Sequence, residues 1–300
     1  MKRKRTSAAE TPLRFVLVTL DNHVTSSVDR AAAALSKDLP GLDMRTHAAA
    51  AWDKEPEQLA RCLADIAEGD IIVVTMLFME EHISPVLSAL TARQADCDAM
   101  ICCMSGAEVM KLTRMGRFTM EGEAKGPVAL LKRLRGKTGS AKSSAGAQQL
   151  TVLRQLPKIL RFIPGTAQDV RAYFLTLQYW LAGSEENLQR MMGFLIDRYA
   201  DGPRAALRGQ LKTHSPIEYP DVGLYDPSLK RGISEDLKDL PRAPKDCRGT
   251  VGILIMRSYA LAGNAGHYDA VINSLRERGL REEGERERAV DNKSLGRFDL

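Results

Sequence analysis

Short apolar runs alternate with amphipathic stretches through the first third of this sequence. Phe15-Val16-Leu17-Val18-Thr19-Leu20 is continuous, partly β-branched and of strand length. Ser26 to Leu39 has helical periodicity, with Val28, Ala31, Ala32 and Leu35 on one face and a stop at Pro40-Gly41. Asp43 to His47 reads as a short strand. Glu57 to Glu68 reads as a helix, with Leu59, Cys62, Leu63 and Ile66 on its apolar stripe. Ile71 to Met76 is a buried strand. Ser84-Pro85 has the form of a helix N-cap followed by proline at the first helical position, which predicts a helix to about Ala95. Ala99 to Met104 is a fourth strand, and Gly106 to Met115 a further helix.

Strands that are apolar throughout, separated by amphipathic helices, predict a parallel sheet covered on both faces. The expected fold class is therefore α/β: a doubly wound, mostly parallel sheet, then a helical region, then the truncated start of a second α/β domain. The expected divisions are a disordered basic tail over 1–11, an α/β domain over 12–131 and a flexible Gly/Ser/Lys/Ala-rich loop over 132–147. A helical hairpin and irregular connector follow over 148–246, with helices at Ala167 to Ala182 and Glu185 to Tyr199 broken at Gly183. The segment 247–280 contains the apolar strand Val251 to Met256 and a helix from Tyr268 to Arg278. A parallel strand should come next, but Arg281 to Leu300 is charged and without apolar pattern, so 281–300 reads as a tail and the last domain as interrupted.

Composition narrows the classes. The chain has 300 residues and 44% hydrophobic residues, enough for buried cores. The net charge of +5 is a mild excess, concentrated in Lys2 to Arg5 and Lys132 to Lys142, which read as a solvated tail and loop and not as a nucleic-acid face. Five cysteines without a CxxC pair fit a reducing compartment and give no zinc signature. No run reaches the roughly 18 apolar residues of a membrane span, and the expectation is a cytoplasmic protein with no transmembrane segment.

Candidate chemistry falls at strand ends, where ligands bind in doubly wound sheets. Asp21-Asn22-His23 follows the first strand, and Glu80-Glu81-His82 follows the third. Ser105-Gly106 follows the fourth and opens a helix. In the second unit Arg257, the loop Gly263-Asn264-Ala265-Gly266 and His267 lie between strand and helix. The ligand-binding candidates are His23, Glu80, Glu81, His82, Arg257 and His267; catalytic and metal-ligating residues are unassigned. Gly136-Lys137-Thr138 does not make a P-loop, because Leu131 stands where the motif needs its first glycine. The aromatic stretch from Tyr173 to Trp180 reads chiefly as core, with a flat-ligand platform as the other option.

Many of these segments resemble the large, porphyrin-binding subunit of magnesium chelatase, in the superfamily of the large cobaltochelatase subunit and nearest in pattern to its purple-bacterial form. The resemblance rests on Thr19-Leu20-Asp21-Asn22-His23, Thr75-Met76-Leu77-Phe78, Lys111-Leu112-Thr113-Arg114-Met115-Gly116 and Gln178-Tyr179-Trp180-Leu181-Ala182-Gly183. It continues through Ile217-Glu218-Tyr219-Pro220-Asp221-Val222-Gly223-Leu224-Tyr225, Met256-Arg257-Ser258 and His267-Tyr268-Asp269, and spans roughly residues 12 to 280. Asp226 stands where that family usually has histidine.

The resemblance implies a subunit that takes Mg²⁺ and protoporphyrin IX as substrates. It works with two AAA+ partners, the I and D subunits, which hydrolyse ATP, in (bacterio)chlorophyll biosynthesis. The family's subunit is several times longer, and its metallation residues lie mostly downstream. This chain is therefore expected to be a fragment without insertion activity alone. A non-enzymatic tetrapyrrole-binding or regulatory module is the alternative.

Overall fold

The computed structural model describes residues 7–20, 22–120, 155–220, 222–229, 232–241 and 246–284. The basic segment 1–6, Asp21, the loop 132–147 with its Gly136-Lys137-Thr138, and 285–300 lie outside the described residues. The chain divides into two units, Met1–Leu181 with Glu186–Ile217 and Ala182–Glu185 with Glu218–Leu300.

In the first unit the strands are β1 (Leu13–Thr19), β2 (Leu42–Ala48), β3 (Ile71–Thr75), β4 (Ala99–Cys103), β5 (Arg114–Met115) and β6 (Phe118–Thr119). They form one sheet in the order β2-β1-β3-β4-β5-β6, parallel from β2 to β4 and antiparallel beyond. The helices are α1 (Thr25–Leu35), α2 (Pro56–Glu68), α3 (Glu80–Arg93), α4 (Ala107–Lys111), α5 (Thr166–Ala182) and α6 (Glu185–Tyr199).

Strand alternation builds two cores. Phe15, Leu17, Ile71, Val73, Ala99 and Ile101 face α1, α5, α6 and a helical segment at 155–160. Val16, Val18, Ile72, Val74, Met100 and Cys102 face α2, α3 and α4. Burial on both faces is why these strands read as unbroken apolar runs.

The structure corrects four expectations in this unit. The tail is shorter than 1–11, because Ser7–Glu10 forms a 3-10 turn that buries Ala9 in the first core. The helical hairpin falls in the first unit, where α5 and α6 share one core with α1 and the sheet. Helix α3 begins at Glu80, with Pro85 inside it and not at its start; the missing N–H removes one intrahelical bond, to the carbonyl four residues back. The helix expected to reach Met115 stops at Lys111. There the Thr113 hydroxyl accepts from the Cys102 N–H at 3.2 Å and lies 3.0 Å from the Cys102 carbonyl. Arg114 donates to the carbonyls of Gln94, at 2.6 Å, and Cys97. These bonds hold Arg114 and Met115 in the sheet as β5.

The amino ends of the strands are closed by ion pairs. Arg204 binds Asp98 with two nitrogens, at 2.8 and 2.7 Å, and reaches Asp70 at 3.2 Å. Arg14 meets Asp43 at 3.0 Å, and Glu68. The His47 ring lies 3.0 Å from Asp65, and burial, the largest influence, lowers its pKa against the pull of that carboxylate.

The second unit contains β7 (Leu224–Tyr225) paired with β8 (Ile233–Ser234), then β9 (Gly249–Ile253), α7 (Arg257–Leu261), α8 (Gly266–Glu277) and β10 (Leu280–Gly284). The expectation that no parallel strand follows the helix is overturned: β10 pairs with β9 in parallel register, Leu280 opposite Gly249 through Gly284 opposite Ile253. Gly279, at φ 72°, ends the helix in the left-handed conformation. Its carbonyl accepts from the Arg248 N–H at 2.8 Å. Backbone pairing needs no apolar pattern, so charge over 281–284 concealed the strand. Two strands still bury little on their own, and Leu254 and Met256 are exposed.

Candidate functional site

Because β1 is flanked by β2 and β3, the chain reverses its direction of travel across the sheet there. The crevice at such a switch point opens beyond the carboxyl ends of the two strands. The loop with Asn22 and His23 leaves β1, and the loop 76–79 leaves β3 into α3. Topology therefore brings together the ends that carry His23 and Glu80, Glu81 and His82, which lie far apart in sequence.

Two residues at this end are conformationally costly. Met76 and Met104, immediately after β3 and β4, have φ of 65° and 48°. Left-handed backbone costs a side-chain-bearing residue on the order of 1–2 kcal/mol. A set of bonds holds them. The Met76 N–H donates to the Met104 carbonyl at 2.9 Å, and the Gly106 N–H to Leu77 at 2.7 Å. The Leu77 N–H donates to the Ser105 hydroxyl at 3.2 Å, and that hydroxyl to the Cys103 carbonyl at 3.1 Å. The turn thrusts Phe78 and Met79 outward, 55% and 51% exposed. Nothing in the residue pattern signals this strain, since methionine is not a residue that marks left-handed turns.

Glu80 and Glu81 occupy the first turn of α3, where carboxylates complement the helix dipole, and both are exposed. His82 is half-buried; its Nδ1 is buried and has no hydrogen-bond partner among the described residues. His23 is half-buried at the entrance to α1. Ser105 is taken up by the turn, and α4, with only five residues, is a minimal helix. Among the described residues no three His, Cys, Asp or Glu side chains are placed to hold a metal ion.

The second unit's candidates have other partners. The Arg257 guanidinium donates to the carbonyls of Pro220, at 2.7 Å, and Tyr219, at 3.4 Å. It thus ties the connector to α7. His267 is exposed and stacks against Tyr268 with ring centroids 3.9 Å apart, with Tyr259 edge-on at 5.6 Å. Asp226, which the sequence marks only as a departure from the family's usual histidine, is buried. It accepts from the Ser228 N–H at 2.8 Å, the Ser228 hydroxyl at 2.5 Å and Arg276. Burial pushes its pKa up, but those donors outweigh burial and hold it below the usual carboxylate value.

A depressed folded-state pKa contributes stability that is present above the unfolded value, near 3.9, and lost as pH falls through the folded one. Asp226→Asn is therefore expected to flatten the acid limb of unfolding followed by α8 helicity. An unchanged acid limb would remove Asp226 as its source.

The aromatic stretch is core. Tyr173, Phe174, Tyr179 and Trp180 are all buried, and Phe118, Tyr173 and Phe174 meet edge to face. No flat platform is exposed there.

Comparison with known proteins places the chain in a family. The profile of a domain of unknown function (DUF3479) matches residues 14–174, and that of CobN/Magnesium Chelatase matches residues 177–282. The magnesium-chelatase H subunit of Cereibacter sphaeroides is 45% identical over 268 residues, 89% of this chain and 22% of the relative. Its namesake in Rhodobacter capsulatus is 43% identical over 88% of this chain and 22% of the relative. The chloroplastic magnesium-chelatase ChlH protein of Oryza sativa subsp. indica is 30% identical over 90% of this chain and 20% of the relative. The chain spans about a fifth of the length of these relatives. With both profiles in colinear order and this identity along most of its length, the chain belongs to the magnesium-chelatase large-subunit family.

Proposed function

We propose that this chain is a portion of a magnesium-chelatase porphyrin subunit, and that its first unit presents the carboxyl-end crevice as a ligand-facing surface. The whole subunit would bind protoporphyrin IX and Mg²⁺ as substrates. The AAA+ I and D subunits would hydrolyse ATP to drive insertion, a cytoplasmic step of (bacterio)chlorophyll synthesis. The observation that supports this is the 45% identity to a bacterial magnesium-chelatase H subunit across 89% of the chain.

Metallation needs a base for the pyrrole protons and oxygen ligands for a strongly hydrated cation. In this chain His23, His82, Glu80 and Glu81 are the groups with that chemistry at the crevice, and Phe78 and Met79 offer an apolar face to a macrocycle. Arg257 and His267 remain the second unit's candidates. The insertion chemistry itself is assigned to the longer remainder of the subunit, of which this chain spans about a fifth.

Two assays test this reading. Mixed with the partner subunits, ATP, Mg²⁺ and protoporphyrin, the chain is expected to give no magnesium porphyrin; turnover like that of a full-length subunit overturns its assignment as an inactive portion. In a porphyrin titration followed at the Soret band, the folded chain is expected to saturate, and Phe78→Ser and His82→Ala to weaken binding. A folded chain that binds no porphyrin at tens of micromolar removes the crevice from the substrate site. The alternative, a non-enzymatic tetrapyrrole-binding module, predicts the same titration but no porphyrin delivery to a complete chelatase.

A further inference from the structure

The segment 155–164 has an arrangement that the porphyrin reading does not use. Leu156 and Leu160, one helical turn apart, are buried in the first core. Between and beyond them Ile159, Phe162 and Ile163 point to solvent, 59%, 83% and 44% exposed. A helix apolar on both sides is normally buried. This one is held in place with its outer side bare.

The restraint comes from α5. The Gln168 amide donates to the carbonyls of Leu160 at 2.8 Å, Arg161 at 3.3 Å and Ile163 at 2.5 Å. The Arg171 guanidinium donates to the Pro157 carbonyl at 3.0 Å. The Ile163 N–H closes back on Leu160 at 3.1 Å. The three apolar side chains therefore stand on a rigid elbow, and Phe162 projects from the surface instead of lining a groove.

The charged residues of the elbow itself have one sign. Lys158 and Arg161 are exposed beside the apolar tip. From residue 124 to residue 168 the sequence has nine Lys and Arg and no Asp or Glu, although the whole chain is only +5. Basic charge together with projecting aromatic and aliphatic groups are the two signals that make peripheral membrane attachment stable where either alone is marginal.

We propose that this elbow docks the chain on an anionic lipid surface, with Phe162, Ile159 and Ile163 entering the headgroup boundary and Lys158 and Arg161 meeting lipid phosphates. No helix among the described residues is long and apolar enough to cross a membrane, so the attachment is superficial and salt-sensitive.

Co-sedimentation of the chain with phosphatidylcholine vesicles, with and without one-fifth phosphatidylglycerol, tests this at low and high salt. Binding is expected only to the anionic vesicles and to fall with salt. Phe162→Asp is expected to weaken it at least ten-fold, and the pair Lys158→Glu with Arg161→Glu similarly. Trp52 and Trp180 are buried, so the indole of a Phe162→Trp variant reports on the elbow, and its emission is expected to shift to the blue with anionic vesicles. No vesicle binding overturns the proposal. So does binding undiminished in Phe162→Asp, which would assign it to the basic stretch alone. A concentration-dependent dimer abolished by Phe162→Asp, without vesicle binding, would assign the elbow to a second copy.

Discussion

Replacing Asp169 by alanine is expected to lower the stability of the first unit by about 3–5 kcal/mol, the range for removing one partner of a buried charged network. Asp169 lies on α5 and is nearly buried. It accepts from the Arg117 N–H at 3.1 Å, Arg198 at 3.0 Å and the Tyr199 hydroxyl at 3.1 Å. One carboxylate thereby joins the β5–β6 turn, α5 and the end of α6. The alanine leaves a guanidinium, a phenol and a backbone N–H short of an acceptor in a region where burial already pushes the Tyr199 hydroxyl pKa up. Gly116, in the same turn at φ 57°, has room only for hydrogen, since a Cβ there would lie 2.9 Å from the carboxylate. Urea unfolding followed by circular dichroism measures the change, and Asp169→Asn, which keeps one acceptor oxygen, is expected to lose less. A loss below about 1 kcal/mol for the alanine variant would show that the hairpin is attached by apolar packing alone.

Gly41→Ala is expected to cost about 1–3 kcal/mol or more, although it is the mildest possible change in side chain. Gly41 lies between α1 and β2, where the Leu13 N–H donates to its carbonyl at 3.0 Å. A Cβ there would lie 2.6 Å from the Glu10 carbonyl oxygen and closer still to that of Thr11. Those are backbone atoms, and they cannot rotate away as a side-chain end can. Either β2 moves off β1 or the 3-10 turn at Ser7–Glu10 lifts and exposes Ala9. Thermal unfolding and proteolysis near residue 10 distinguish these responses. A variant as stable as the parent would mean that the amino-terminal turn is not fixed against the sheet.

Much of the fold was legible because burial on both faces writes itself into composition. The runs Phe15 to Leu20, Ile71 to Met76 and Ala99 to Met104 could hardly be anything but central strands, and four parallel strands separated by helices leave few topologies. The misreadings came where a side chain competed with a local signal. Ser84-Pro85 is a good helix start, but the chain already turns helical at Glu80. Thr113 and Arg114 look helical, but their bonds to Cys102, Gln94 and Cys97 make them sheet. At β10 the pairing is made by backbone, so charged side chains hid it.

For the crevice, the sequence placed His23 and Glu80, Glu81 and His82 at strand ends from polarity alone. It showed neither the left-handed Met76 and Met104 nor the exposure of Phe78, because backbone strain is imposed by neighbouring strands.

The sequence by itself determined the class of fold, the four parallel strands and the family, since these depend on periodicity and on long colinear patterns. Only the tertiary structure decided which helices cover which face. The apolar stripes of α1, α5 and α6 are interchangeable as patterns. In the folded unit α5 and α6 share one core with α1, and Asp169 on α5 binds the β5–β6 turn. The elbow at 155–164 belongs to the same group. Leu156, Ile159, Leu160, Phe162 and Ile163 are all strongly apolar, and only packing into the first core decided that Leu156 and Leu160 are buried while the others remain in water.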